Sequence, residues 1–162
     1  MKKALLVLAL ASVAAASQAQ VYVQGNLGSV NASISGSNSA SSSSIGFGVG
    51  YQINANFAVD GLYQKLYKEP GIKSNAVSVR AIGIYPFNDK VSINGKIGVG
   101  STKIDDGVYT GKGNLTYGVG LEFAVAKQVS LGLDIDLYKT KENANVSAIK
   151  QTNVSMNLKY RF

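Results

Sequence analysis

The sequence contains no cysteine and no histidine among its 162 residues. Without cysteine, the chain can form neither a disulfide framework nor a thiol-based site. Without histidine, it lacks a member of the Ser-His-Asp and Cys-His catalytic groups and the commonest ligand of transition metals. We therefore predict that the protein is not an enzyme and that it has neither a cofactor nor a metal.

Long apolar runs are also scarce, and the one that stands out lies at the N-terminus. Lys2 and Lys3 precede an apolar stretch over residues 4–16, and Ser17-Gln18-Ala19 then offers a cleavage site with small residues. This pattern is typical of a secretory signal peptide and is too short for a membrane-spanning helix. We predict a signal peptide over residues 1–19 and one domain over 20–162, with Ala14-Ala15-Ala16 as a second possible cleavage site.

The charge balance is basic, with a formal net charge of +7. Loss of Lys2 and Lys3 with the signal peptide would lower this charge to +5. A basic chain can bind nucleic acid, but the export signal and the absence of a basic stripe interleaved with aromatics argue against such a partner. We expect the basic surface to meet anionic lipid headgroups instead.

From Gln20 onward, apolar residues alternate with small or polar ones, most clearly over 129–137. One face of that segment is aliphatic, whereas the other carries Asp134 and Asp136. Two carboxylates would be unusual in the dry core of a sandwich, but they suit a strand with one face toward lipid and the other toward a barrel interior. The alternation predicts an all-β fold, an eight-stranded antiparallel transmembrane β-barrel. A soluble β-sandwich or lipocalin-like barrel is the alternative.

The alternation divides the chain into eight segments, most of them close to the roughly 9–11 residues that a tilted membrane strand needs. Three connections are short turns, and four are longer, which is the asymmetry expected of short periplasmic turns and external loops. An even strand number places both termini on the periplasmic side. The predicted strands are 20–28, 45–53, 57–67, 76–85, 91–101, 114–124, 129–139 and 149–162; the turns are 54–56, 86–90 and 125–128; and the loops are 29–44, 68–75, 102–113 and 140–148.

Alternation also predicts which side chains face the lipid. Several outward aromatics lie beside the predicted periplasmic turns, where an interfacial aromatic girdle is expected. The inward Gly46, Gly48 and Gly50 are predicted to make room for bulky side chains opposite. The predicted lipid-facing residues are Phe47, Val49, Tyr51, Phe57, Val59, Tyr63, Val77, Val79, Tyr85, Ile93, Ile97, Val99, Leu115, Tyr117, Val119, Leu121, Phe123, Val154, Met156, Leu158, Tyr160 and Phe162.

Several stretches resemble the transmembrane domain of outer membrane protein A and its small opacity-like relatives. They are Val21 to Gly25, Gly46 to Asn54 with Phe57 to Asp60, Ile84 to Asp89, Gly118 to Phe123, and Lys159 to Phe162. The resemblance implies a non-enzymatic barrel in the outer membrane of a Gram-negative bacterium. It also implies periplasmic chaperones and the outer-membrane insertion machinery as partners, with Tyr160 and Phe162 in the C-terminal insertion signal.

The same parity directs eight charged residues into the lumen, four acids and four bases. An eight-stranded barrel encloses just enough space for side chains to fill, and unpaired charges there would be costly. We expect Asp60–Arg80, Lys96–Glu122, and Asp134 or Asp136 with Lys159 or Arg161 to pair. Such a network is either a plug that holds the barrel closed or a gate whose pairs exchange partners. The eight residues are Asp60, Arg80, Lys96, Glu122, Asp134, Asp136, Lys159 and Arg161.

The loops carry three further expectations. The segment 29–44 has nine serines and no charge, so it cannot bury enough apolar surface to order itself and is predicted to be mobile. Asp105-Asp106 could assist a calcium ion, but a solvated turn is the simpler interpretation because no further acids follow at ligand spacing. Six lysines near the external rim either keep it soluble or contact lipopolysaccharide phosphates: Lys65, Lys68, Lys73, Lys139, Lys141 and Lys150.

These features favour a monomeric structural or surface-interaction barrel that supports the integrity of the envelope. A narrow, weakly conducting porin-like channel is the first alternative, and a loop-mediated adhesin is the second. The two alternatives separate cleanly, because conduction depends on whether the interior charges admit water, whereas adhesion depends on loop residues alone.

Overall fold

A computed structural model describes residues 20–33, 40–69, 72–105, 113–140 and 150–162. The predicted signal peptide, residues 1–19, lies outside the described residues. No described segment is a helix long and apolar enough to span a bilayer.

The described residues form eight strands that close into one antiparallel barrel. The strands are β1 (Gln20–Ser33), β2 (Ala40–Gln52), β3 (Phe57–Glu69), β4 (Ile72–Pro86), β5 (Val91–Asp105), β6 (Asn114–Ala124), β7 (Val129–Thr140) and β8 (Lys150–Arg161). Each strand pairs with its neighbours in sequence, and β8 closes the barrel by pairing with β1. The predicted eight-stranded antiparallel barrel is confirmed.

Side chains alternate between the inside and the outside of this barrel because successive residues of a strand point to opposite faces. In β6, buried and exposed positions alternate from Asn114 to Phe123, with the aliphatic residues outside. The predicted lipid-facing residues all lie on the outer face, and nearly all of them are well exposed. The outer wall is therefore mainly apolar, and most of the described charged side chains of the strands point into the lumen.

Asparagine side chains stabilise two of the short turns. Asn54 Oδ1 accepts hydrogen bonds from the backbone N–H groups of Asn56 and Phe57, at 2.8 and 2.9 Å. Asn88 Oδ1 does the same for Lys90 and Val91, at 2.9 and 2.8 Å. These are the local bonds that favour asparagine in turns. The three short turns, the start of β1 and the end of β8 all lie on the same side of the barrel, which we call the turn end.

All four predicted loops are partly strand. The strands include residues 29–33 and 40–44 of the first loop, 68–69 and 72–75 of the second, 102–105 of the third and Thr140 of the fourth, so only residues 70–71 separate β3 from β4. The predicted bounds of the loop 29–44 are therefore wrong at both ends, where the chain is strand. The backbone hydrogen bonds between β1 and β2 continue into the serine-rich residues, and Ser44 bonds Asn153 inside the barrel at 2.6 Å. Strand pairing thus compensates for the lack of apolar side chains.

Two small apolar layers lie inside the barrel, one toward each end. Tyr22, Ala58 and Ile82 pack together near the turn end. Toward the opposite end, Tyr138 is buried in a second cluster and donates a 2.5 Å hydrogen bond to Gln64 Oε1. A Cβ atom on Gly50 would overlap the Tyr22 ring, so this inward glycine makes room for a bulky neighbour as predicted. The charged residues occupy the turn-end half and the middle of the lumen.

Candidate functional site in the barrel lumen

Arg80 is the centre of the more deeply buried charged group. Asp60 lies directly opposite Arg80 in the β3–β4 register, and the guanidinium forms two hydrogen bonds to that carboxylate, Nε–Oδ1 at 2.8 Å and Nη2–Oδ2 at 2.6 Å. Its remaining nitrogen, Nη1, lies 3.5 Å from Asp136 Oδ2 on β7. Arg80 therefore links its neighbouring strand to the far wall of the barrel, and the predicted Asp60–Arg80 pair is present.

Lys96 pairs with Asp134, with 2.6 Å between Nζ and Oδ1. The expected Lys96–Glu122 pair is therefore wrong, and the reason is the strand that lies between Lys96 and Asp134. Gly118 lies directly opposite Lys96, and Gly120 lies opposite Asp134. Cβ atoms on these glycines would overlap the Asp136 and Asp134 carboxylates. Because β6 has no side chains at these points, Lys96 reaches from β5 across β6 to β7.

Glu122 instead pairs with Lys159 and Arg161 from β8. Lys159 Nζ lies 2.5 Å from Glu122 Oε2 and 4.8 Å from the centre of the Tyr22 ring, a cation–π distance. Gly132 on β7 lies opposite Glu122, so this pair also crosses a strand at a glycine. The expected pairing of Asp134 or Asp136 with Lys159 or Arg161 is wrong, because Glu122 takes both bases.

The eight charges thus form two groups at different depths. The deep cluster contains three acids and two bases whose side chains are at most 5% exposed: Asp60, Arg80, Lys96, Asp134 and Asp136. The mouth cluster contains one acid and two bases near the turn end, 10–14% exposed: Glu122, Lys159 and Arg161. The formal charges are −1 and +1, so the described interior is neutral as a whole.

Neutral inward residues complete the site, and the predicted set of charged residues did not include them. Asn157 donates a 2.7 Å hydrogen bond to Asp134, and Gln52 accepts one from Arg161 at 3.1 Å. Ser130 accepts another from Arg161. Strand parity places all three inside and could have found them. Parity alone does not give their partners, since these depend on how far each side chain reaches.

Very little space remains between the two clusters. One cavity lies between Glu122, Lys96 and Lys159, and the room in it for the centre of a water molecule is about 10 Å³. That is roughly what a single water molecule requires. Among the residues whose side chains are described, no group of three or more acids is placed to hold a metal ion. Asp106 lies outside the described residues, as does the side chain of Asp105.

The predicted rim lysines are only partly described. Lys65 and Lys139 lie on the outer face away from the turn end, and both are exposed. Lys139 Nζ is 5.8 Å from the centre of the Tyr117 ring. The backbones of Lys68, Lys73 and Lys150 belong to β3, β4 and β8, but their side chains, and the whole of Lys141, lie outside the described residues.

The C-terminal aromatics lie on the outer wall at the turn end. Tyr160 and Phe162 make an edge-to-face contact with 5.1 Å between ring centres. The Phe162 backbone N–H donates a 3.0 Å hydrogen bond to the carbonyl of Val21. Phe162 is therefore held against β1, with its ring on the outer face of the barrel.

Comparisons with known proteins agree with this geometry. Residues 4–162 match the family model described as the outer membrane protein beta-barrel domain. The crystal structure of Neisserial surface protein A is 24% identical with a TM-score of 0.69, over 90% of this chain and 100% of that one. Ail of Yersinia pestis is 20% identical with a TM-score of 0.60, over 89% of this chain and 97% of that one. OprG of Pseudomonas aeruginosa is 12% identical with a TM-score of 0.56, over 90% of this chain and 97% of that one. No curated protein matches the chain.

Proposed function

The chain belongs to the outer-membrane β-barrel domain family, and on that basis we propose that it is a non-enzymatic structural barrel whose lumen is plugged by its own charges. It is a protein of the bacterial outer membrane, and its outer wall contacts membrane lipid. Short turns of such barrels are periplasmic, which places the mouth cluster on the periplasmic side and Lys65 and Lys139 near the outer leaflet.

The filled lumen is the observation that carries this proposal. Two charge clusters that are neutral together, with side chains from six strands, occupy the turn-end half and the middle of the lumen, and the cavity between them has room for about one water molecule. An ion crossing the barrel would need a continuous water path. Arg80 blocks the middle of that path with its two hydrogen bonds to Asp60 and its contact with Asp136.

A gated pore would require these ion pairs to separate during conduction. The planar guanidinium of Arg80 binds Asp60 in the bidentate geometry that makes Arg–carboxylate pairs both specific and strong. Separation would also leave charges unpaired in an interior that is almost completely buried, which is costly. The geometry therefore favours a plug over a gate.

A test of the structural role is loss of the gene from the native bacterium. The expected result is increased entry of an excluded dye and greater sensitivity to detergent, with wild-type protein restoring both. A variant with residues 34–39 and 141–149 replaced by glycine and serine should restore them equally. If the wild-type protein restores the barrier but this variant does not, the function lies in the loops, as it would for an adhesin. An unchanged barrier in the deletion strain would contradict the structural role.

Contact with lipopolysaccharide is a second role, and the positions of Lys65 and Lys139 favour it. Both side chains lie on the outer face of the barrel, at the end away from the turns. The cation–π contact with Tyr117 keeps the Lys139 ammonium close to the wall. Lysines at this level meet the phosphates of the outer leaflet, and attraction to a charged membrane surface is about 1 kcal/mol for each lysine.

The matched test compares lysines at the two ends of the barrel. Lys65→Gln/Lys139→Gln should reduce co-purification of lipopolysaccharide with the folded protein, whereas Lys90→Gln/Lys127→Gln changes the same number of charges at the turn end and should not. If both double variants retain as much lipopolysaccharide as the wild-type protein, the contact is not made by these lysines.

Tyr160 and Phe162 are proposed to form the signal read by the insertion machinery. Both rings are exposed on the outer wall at the turn end, so a partner that binds this edge of the barrel can reach them. Phe162→Ala should slow assembly by the purified insertion machinery. Phe123→Ala removes a similar outward ring near the turn end without changing the terminal strand. Equal slowing by both variants would mean that the ring acts through membrane contact and is not a signal.

A further inference from the structure

The outer wall has a concave site near the turn end that neither the plug nor the rim lysines explain. It is a groove of about 570 Å³ on strands β3 to β6. Gly83 and Gly95 lie directly opposite each other in the β4–β5 register and form its floor. A Cβ atom built on either glycine would meet no other atom within 4 Å, so the space above the floor is open.

Apolar side chains surround this floor on three sides. Phe57 lies opposite Gly83 on β3, and Val119 lies opposite Gly95 on β6, so the two form opposite walls. Tyr85 and Ile93, a register pair one outward position closer to the turn end, close the bottom. The rings of Tyr85 and Phe87 make an edge-to-face contact at 5.5 Å. Outward aromatics of this kind mark the membrane interface, so the groove begins just inside the hydrocarbon.

We propose that this groove binds one acyl chain of a glycerophospholipid from the periplasmic leaflet. The groove is apolar and lies at the turn end, so the lipid that reaches it comes from the inner side of the outer membrane. A flexible chain can fill a concave wall and gain dispersion contacts that a flat wall does not offer. Inside a bilayer, packing of this kind is the main source of affinity, since lipid and protein surfaces are equally apolar.

The turn below the groove supplies a complementary charge. Lys90 ends the turn that joins β4 and β5, the two strands that contribute the floor, and its side chain is exposed. A phospholipid whose chain occupies the groove places its phosphate at this level. Asp89 precedes Lys90 in the same turn and is also exposed, so the lysine is expected to select among headgroups but not to provide most of the binding.

A second copy of the chain suits the groove less well. A specific protein interface buries more than about 1,000 Å² of surface. A second barrel would rest on Phe57 and Val119, and these side chains would hold it away from the glycine floor. The proposal depends on the location of the barrel in the membrane and is independent of whether the lumen is plugged.

Native mass spectrometry of protein folded in bilayers of phosphatidylethanolamine and phosphatidylglycerol, after mild delipidation, tests the proposal. The wild-type barrel should retain about one phospholipid. Gly83→Leu/Gly95→Leu fills the floor and should lower retention at least fivefold. Gly25→Leu adds the same side chain at another outward glycine that is open, and it should retain lipid like the wild type. Gel mobility with and without heating verifies that each variant is folded.

Phe57→Ala provides a second variant, because it removes one wall without adding bulk; it should also lower retention. Lys90→Gln should shift the retained lipid from phosphatidylglycerol toward phosphatidylethanolamine. Equal retention by the wild type, Gly83→Leu/Gly95→Leu and Gly25→Leu, or by the wild type and Phe57→Ala, would overturn the proposal. So would a wild-type dimer that dissociates in the floor variant, since the occupant would then be a second copy.

Discussion

The deep cluster and the mouth cluster contain the same kinds of ion pair at different depths. Arg80, Asp60 and their neighbours are at most 5% exposed, whereas Glu122, Lys159 and Arg161 are 10–14% exposed. Water at the turn end can solvate a charge that loses its partner in the mouth cluster. The deep cluster has no such access, so its charges depend almost entirely on one another.

The difference shows where the stability of the plug should lie. The deep cluster has one more acid than bases, and the mouth cluster has one more base than acids, so the net charges of the two clusters cancel. Only the deep cluster ties β3 and β4 to β7 through a single side chain, Arg80. Substitutions in the two clusters should therefore have unequal effects, and the predictions below begin with the largest.

Loss of the Arg80 guanidinium should have the largest effect. Arg80→Met would leave Asp60 buried without its base, and removal of one partner from a buried ion pair costs about 3–5 kcal/mol. The free energy of unfolding, measured in urea with lipid vesicles and gel mobility, should fall by that amount. Asp60→Asn/Arg80→Met removes both members of the pair and should recover much of the loss. If Arg80→Met lowers the free energy of unfolding by less than about 1 kcal/mol, the charges of the deep cluster do not depend on one another as described.

A methyl group on Gly120 should have the next largest effect. Its Cβ atom would overlap the Asp134 carboxylate and lie 2.9 Å from Asn94 Oδ1, so Gly120→Ala would push Asp134 away from Lys96. Overpacking of this kind costs about 1–3 kcal/mol. Gly25→Ala is the control on the outer wall, where a Cβ atom has open space; there the change should be neutral or stabilising, because glycine itself weakens a strand. Equal changes in the free energy of unfolding for Gly120→Ala and Gly25→Ala would mean that the Lys96–Asp134 pair does not need the space left by Gly120.

Neutralisation of Glu122 should cost less than loss of Arg80. Glu122→Gln leaves Lys159 and Arg161 without their acid, but both lie near the turn end of the barrel. Hydrogen bonds to charged groups contribute about 1.5–3 kcal/mol, and partial hydration should reduce the loss to about 1–2 kcal/mol. Unfolding in urea provides the measurement. A loss as large as that of Arg80→Met would show that depth does not distinguish the two clusters.

Arg161 should matter least. Glu122 keeps its 2.5 Å pair with Lys159 when Arg161 is changed, so no carboxylate is left without a base. Arg161→Gln should therefore lower the free energy of unfolding by about 1 kcal/mol, the net contribution of one hydrogen bond. Added salt should make the difference between this variant and the wild type smaller, because ion pairs close to solvent are screened more than deeply buried ones. A larger loss that salt does not alter would place Arg161 in the plug itself.

Much of the fold could be predicted because the signal has a period of two. The turn ends of the strands agree with the predicted ones to within one residue, since Asn54 and Asn88 make bonds that are local in sequence. The opposite ends of β1, β2, β4 and β5 extend four or five residues further than predicted. The pairing of these ends depends on hydrogen bonds between strands, which continue through residues that carry no clear apolar alternation, many of them serines in β1 and β2.

The sequence predicts which charged residues face the lumen, but only some of the ion pairs that they form. Parity places Lys96 and Glu122 on the inner face of adjacent strands, and pairing of neighbours was the natural expectation. The actual partners lie two strands apart, because Gly118, Gly120 and Gly132 leave the intervening strand without an inward side chain at the points where the pairs cross it. Which pair forms is decided by register and side-chain reach, and neither can be derived from alternation within one strand.

Planar-bilayer recording of the folded, inserted barrel tests the central claim, that these charges form a plug, most directly. Gel mobility with and without heating first establishes that the protein has folded. The plug predicts no reproducible conductance steps for the wild type, and no more than small, intermittent steps for Arg80→Ala. Regular steps in the wild type that change with Arg80→Ala or Glu122→Ala would show that the pairs exchange as a gate, and the plug would be wrong.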